Sequence, residues 1–182
     1  MSEGLATSAD IVAFWRAAGP DKWFEKDDAF DDEIRRRFLA TYEAAAAGKL
    51  TDWEATAQGA LALLILLDQF PRNMFRGQAR AFAADPLARA ITSRAILNGF
   101  DGAFPDLRSF FYLPFEHSED LADQERGITL YKAAGDADNL KWAVIHADII
   151  RRFGRFPHRN AVLGRISTPE EHKFLDDDGF SG

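Results

Sequence analysis

The sequence contains no cysteine. Disulfides, thiolate metal sites and cysteine nucleophiles are therefore outside its chemistry, and the absence fits a reducing compartment. It also lacks an apolar run long enough for a bilayer. The longest, ALALLILL over Ala60–Leu67, stops at Asp68, whereas a spanning helix needs about 20 such residues. Eight residues of this kind read as a helix buried on all sides, and no membrane partner is expected. Positive charge is short as well. Twenty-two Lys and Arg against 29 Asp and Glu leave a net charge of −7, while a nucleic-acid binder is normally basic. The opening MSEGLATSAD has neither a basic segment nor an apolar core, so no secretory signal is expected and the expected location is cytoplasmic.

Several signatures of known chemistry are missing too. No G-x-G-x-x-G, P-loop or G-x-S-x-G occurs, which leaves dinucleotide, nucleoside-triphosphate and α/β-hydrolase readings without support. No cofactor is expected. No 34-residue period appears, so regular tetratricopeptide units do not follow from spacing. No stretch alternates as a half-buried strand does.

Helical signals fill the chain instead, with 16 phenylalanines to build a dense core. Ser8 reads as the cap of a first helix bearing Ile11, Val12, Phe14 and Trp15, ended by Gly19-Pro20. A long helix from about Asp28 carries Phe30, Ile34, Phe38 and Tyr42 four apart, and Gly48 stops it. Thr51 with Glu54 forms a capping box for the ALALLILL helix, which is expected to end near Phe70-Pro71. Asp85-Pro86 reads as cap and first residue of the next helix, running to Asn98-Gly99. A short helix is expected from Pro105, another from Ser118 to Gly135, and one from Asp136 or Asp138 through His146 to Gly154. Thr168 with Glu171 caps the last. With short connections and no linker, the expectation is one all-α domain over residues 1–182, built of antiparallel helix pairs, with residues 176–182 as a loose tail.

Three polar segments break the apolar pattern. They are Asp68-Gln-Phe-Pro-Arg-Asn-Met-Phe-Arg-Gly77, Phe110-Phe-Tyr-Leu-Pro-Phe-Glu-His-Ser-Glu-Asp120, and Phe153-Gly-Arg-Phe-Pro-His-Arg-Asn160. The first and third echo each other, with Phe-Pro followed by an Arg-Asn pair. One account is that proline ends each helix and Arg covers its last carbonyls. The other is that both exits meet at one mouth and place Asp68, Arg72, Asn73, Arg155, His158, Arg159 and Asn160 around a ligand. Between Arg151 and Arg165 lie five arginines and His158 with no acid, and guanidinium forks bind carboxylate or phosphate in pairs of hydrogen bonds. The competing account pairs these arginines with the protein's own acids.

His146 lies mid-helix on an apolar face. Such a residue is either a satisfied core histidine or a general base. Glu116 and His117 either support the following helix start or act as acid/base groups. Together with His146 and His158 they offer metal-ligand types, but at no known ligand spacing, and no metal is expected. Exposure of Phe110, Phe111 and Phe115 would point to self-association instead.

The three segments together, with Gly164-Arg-Ile-Ser-Thr-Pro-Glu-Glu171 and the stretch from Trp15 to Trp23-Phe24, resemble the bacterial domain-of-unknown-function family 924 across nearly the whole chain. The resemblance implies an all-α, tetratricopeptide-like fold. It implies no activity and no catalytic residues. Two functional expectations follow. The first is a binding module whose helical groove takes a small anion or acidic peptide at Arg155 and Arg159. The second is a small-molecule acid/base enzyme, a hydrolase or lyase using His146, Glu116 and His117. The second fails if His146 lies beyond one hydrogen-bond network from both Glu116 and Arg155, and the first loses its basis if Arg155 and Arg159 are both fully paired with the protein's own carboxylates.

Overall fold

A computed structural model describes residues 4–177 of the chain. Among the described residues every regular element is helical and no strand occurs. Internal contacts divide the chain into two compact units, one of Met1–Arg76 and Arg80–Pro114, the other of Gly77–Ala79 and Phe115–Gly182.

In the first unit, helix α1 (Ser8–Ala18) is capped by Thr7, one residue before the expected Ser8. The side-chain oxygen of Thr7 accepts the N–H of Asp10, and the Asp10 carboxylate accepts that of Thr7 at 2.8 Å. Ser8 has Ile11 three residues on and cannot make this reciprocal pair. Gly19, at φ 74°, turns the chain into the short α2 (Pro20–Trp23). Asp27 then caps α3 (Asp28–Ala46) by accepting from Ala29 and Phe30. Phe30, Ile34, Phe38 and Tyr42 are all buried on it, as their spacing predicts.

The next start differs from expectation. Thr51–Ala55 forms a 3-10 turn, and α4 (Ala57–Leu64) is capped by Thr56, which accepts from Gly59. Glycine permits this arrangement. A Cβ on residue 59 would lie 2.0 Å from the Trp53 carbonyl oxygen. Glu54, freed from a capping role, pairs with Arg94 at 2.6 Å.

Nor does the helix end at Phe70-Pro71. It widens into a π turn at Ile65–Gln69 and continues as α5 (Phe70–Met74). The Phe70 N–H reaches back five residues to the Ile65 carbonyl. Proline inside an α-helix lacks a donor and clashes with the carbonyl four residues earlier. The wider turn relieves that clash, so Pro71 is carried within the helix. The expected terminal role of proline fails for this reason.

Helix α6 (Asp85–Leu97) begins at Asp85, with Ala84 before it. The Asp85 side chain is bonded to Arg72 rather than to the helix start. The segment after Pro105 forms a 3-10 turn, Arg108–Phe111. Phe110 and Phe111 are buried in this unit and Phe115 in the other, so these three rings are not the exposed patch that self-association through them would use. The core of the first unit centres on Trp15, Phe38, Phe70 and Phe110, with Phe38 and Phe70 stacked at 5.0 Å.

The short α7 (Leu113–Glu116) precedes the second unit's helix pair, α8 (Leu121–Ala134) and α9 (Ala137–Phe153). Asp120, not Ser118, caps α8, accepting from Ala122 at 2.9 Å. Ser118 instead accepts from the Asp120 N–H at 3.1 Å and donates to Asp123 at 2.8 Å. Gly135 closes α8 in the left-handed conformation, and Asp136 caps α9. Ile149, Ile150 and Phe156 form this unit's core, with Leu121, Ile145, Phe153 and Phe174 packed around it. Helix α10 (Pro169–Asp176) carries the expected Thr168–Glu171 capping box. Asp176 is thus helical, and residues 178–182 of the expected loose tail lie outside the described residues.

The Gly59 contact yields a prediction. Gly59→Ala should lower stability by about 1–3 kcal/mol, since backbone must move to admit the methyl group. Urea unfolding followed by tryptophan fluorescence measures this directly. An unchanged midpoint would contradict the packing.

Candidate functional site

The polar segment at the π turn is engaged within its own unit. Asp68, Gln69, Asn73, Asp31 and Asp85 are buried. The Arg72 fork spans Asp85 with two hydrogen bonds of 3.1 Å and also donates to the Asp68 carbonyl at 2.6 Å. Burial opposes the Arg72 charge, but the Asp68 and Asp85 carboxylates outweigh it and raise its pKa. Gln69 donates to the Asp68 carboxylate. Asn73 donates to Asp31 at 2.8 Å, and Arg76 grips the same carboxylate with two nitrogens.

The echoing segment in the second unit repeats this device. Arg155 holds the buried Glu171 through Nε at 2.6 Å and Nη2 at 2.8 Å, and Asn160 donates to the same carboxylate at 3.2 Å. The Arg155 hydrogen bonds, against the cost of burial and helped by Thr168 and Asn160, hold Glu171 down at about 2. The motif similarity therefore has a physical basis. In each copy the asparagine donates to a buried carboxylate that an arginine outside the Arg-Asn pair also holds, Arg76 in the first and Arg155 in the second. Most of the basic cluster is answered likewise. Arg151 pairs with Asp148, Arg152 with Glu170, and Arg165 with Glu119.

A different constellation gathers around Phe156 in the second unit. Helix α9 fixes His146, whose Nδ1 lies 2.8 Å from the Trp142 carbonyl and 3.1 Å from Glu116 Oε1. A carbonyl only accepts, so Nδ1 carries a proton. The His146 ring packs edge-on against Phe156 at 5.6 Å, and the His117 ring lies 6.5 Å from that of His146. His158 meets the other part of Phe156 at 5.5 Å. Arg159, also buried, lays its guanidinium over Phe156 at 4.5 Å and donates to the His117 carbonyl at 3.0 Å. Glu116, His117, His146, His158 and Arg159 are thus brought together, while Arg155 and Asn160 belong to the Glu171 clasp.

Residues outside the expected set hold this cluster in place. Gln124, buried on α8, donates one amide nitrogen to the carbonyls of Glu116 at 2.6 Å and Ser118 at 2.7 Å. With Arg159 on the carbonyl between them, three consecutive carbonyls each accept a side-chain donor. Glu119 accepts the Phe156 N–H at 2.8 Å and the Arg165 fork. Its burial is outweighed by Arg165 and that N–H, so its pKa is lowered. Burial, reinforced by the charges of Arg159, His146 and His117, pushes His158 down to about 3 and leaves it neutral at neutral pH. Among the described residues no group of three or more His, Asp and Glu is arranged to hold a metal ion. No helix among them is long and apolar enough to cross a membrane.

Residues 11–179 match the family described as Bacterial protein of unknown function (DUF924). The chain belongs to that family. A solved structure of a protein of unknown function from Agrobacterium tumefaciens is 53% identical, with a TM-score of 0.90 over 93% of this chain and 97% of that one. No curated protein matches. Neither description names an activity, so the chemistry of this DUF924 chain has to be argued from its own residues.

Acid sensitivity follows from the lowered pKa values of His158 and Glu171. Between about pH 6.5 and 3 the unfolded chain takes up a proton at His158 that the folded chain refuses, so stability falls as pH falls through that window. His158→Asn should flatten this dependence, read as the difference in urea midpoint between about pH 7 and about pH 5. Glu171 acts in the same direction at lower pH, its stabilisation being lost from about 4.5 down to about 2. Arg155→Met should lower stability at neutral pH, because it removes the main donor to the Glu171 carboxylate. That cost should shrink in acid as the carboxylate is protonated.

Proposed function

We propose that the cluster around Phe156 is a small-molecule site that moves a proton, with Glu116 and His146 as the working couple and Arg159 as the charge facing an anionic substrate. The contact of 3.1 Å between Glu116 Oε1 and His146 Nδ1 carries this reading. A carboxylate on the protonated nitrogen fixes the ring tautomer and stabilises the imidazolium formed when Nε2 accepts a proton. Packing of the ring against Phe156 and the α9 backbone sets its direction. The pinned carbonyls of Glu116, His117 and Ser118 keep the carboxylate in register. The chemistry that suits such a couple beside a guanidinium is hydrolysis or elimination on a small carboxylate or phosphate compound. The broader reading, a groove for an acidic peptide along Arg155 and Arg159, has less support, because Arg155 is already bidentate on Glu171.

Long-range proton–nitrogen NMR on the histidine rings tests the reading. His146 should be found as the Nδ1–H tautomer. Acetate or inorganic phosphate should shift the ring signals of His117, His146 and His158 saturably. Glu116→Gln, nearly isosteric, should keep the helical content while weakening that response about tenfold. An Nε2–H tautomer at His146, or rings indifferent to both anions, would sink the proposal.

A further inference from the structure

The first unit carries a cleft that plays no part in the site above. It arises from the order of small and large residues on two helices. On α1, Phe14, Ala17 and Ala18 are three and four apart and share a face. On α3, Ala29, Phe30, Glu33 and Arg37 do the same. The alanines leave space where larger side chains would close it. Lys22, on α2 after the Gly19 turn, completes the lining. The resulting volume is about 400 Å³, within the range of small-molecule sites.

Its chemistry is two-sided. The floor is the half-buried Phe14, which stacks at 5.5 Å on the buried Phe30. The rim is cationic. Arg37 lies 4.6 Å from the Phe14 centroid and Lys22 Nζ 5.3 Å from that of Phe30. Each cation is steadied by one acid, Glu33 on Arg37 at 3.0 Å and Asp27 on Lys22 at 2.7 Å. One hydrogen bond uses one of five guanidinium donors and one of three ammonium donors. Both side chains stay close to half-exposed, at 42% and 48%. Charge-assisted donors thus remain at the edge of a flat apolar floor.

We propose that this cleft binds a small aromatic carboxylate, its ring against Phe14 and the alanine-lined wall and its carboxylate between Lys22 and Arg37. The ring gains by stacking and by excluding water from the alanine-lined wall. The carboxylate replaces water on two cations that stand ready over the floor. An aromatic cation of the same size meets like charge at the rim, and a carboxylate without a ring has nothing to place on the floor. The inference stands apart from the Glu116–His146 reading, and its signals arise on different residues.

Amide-resolved NMR on the full chain, with phenylacetate, benzylamine and acetate as probes, provides the test. Phenylacetate should shift the amides of Phe14, Ala17, Ala18, Ala29 and Phe30 saturably. Benzylamine and acetate should bind at least about tenfold more weakly at those residues. Arg37→Met should weaken phenylacetate about tenfold, and Ala18→Leu, which fills the cleft, should abolish its effect while leaving the helical circular dichroism in place. Comparison of the three probes on the unmodified chain stands even if a variant folds poorly. Absence of a saturable shift with phenylacetate overturns the proposal, as does equal binding of benzylamine or of acetate.

Discussion

An ionised carboxylate among phenylalanine rings is costly until donors surround it. Both units of this chain are organised around meeting that demand. In the first, Asp31 is answered by Asn73 and Arg76, and Asp85 by Arg72. In the second, Glu171 is answered by Arg155 and Asn160, and Glu119 by Arg165 and the Phe156 N–H. These pairs join residues far apart in sequence, so each fixes where one helix exit lies on another element. Arg72, Asn73 and Asn160 of the Arg-Asn doublets are therefore first of all fold-specifying, since their donors meet the protein's own acids.

Beside the clasps of Arg72, Arg76, Arg155 and Arg165, the surroundings of Phe156 stand out. Phe156 has two imidazoles and a guanidinium on its ring. Arg159 supplies that guanidinium and also donates to the His117 carbonyl. The cluster also sets a neutral histidine beside one bonded to glutamate, two environments for the same side chain within one small volume. Opposed environments of that kind are how proteins separate proton donors from acceptors.

The helices were largely readable because their signals are local. Stripes such as Phe30, Ile34, Phe38 and Tyr42, and stops such as Gly135 and Gly154, act within one or two turns. The misread boundaries share a different cause. Thr51 yielded to Thr56 because of the approach of Gly59 to Trp53, and Ser118 yielded to Asp120 because its hydroxyl is drawn to Asp123. In both, a competing partner outside the cap motif decided the matter. The Glu116–His146 contact was legible only as residue types, since 30 positions separate them and no periodicity links them. Gln124 gave no signal at all. A glutamine in a helix interior looks solvated until the carbonyls it faces are known. Glu171 was visible as a capping residue but not as the partner of Arg155, although one carboxylate serves both.

The π turn at Ile65–Gln69 bears on how such a chain can change over evolutionary time. A turn closed over five residues holds one residue more than the α-helix around it. It sets the rotational phase of everything after it. Deleting any one residue of the five would restore an ordinary helix and swing Phe70, Arg72 and Asn73 by about a quarter turn relative to α4. Phe70 would leave the aromatic core, and Arg72 and Asn73 would face away from Asp85 and Asp31. Length in this helix is therefore under tighter constraint than side-chain identity, and relatives should tolerate substitutions here far more readily than gaps.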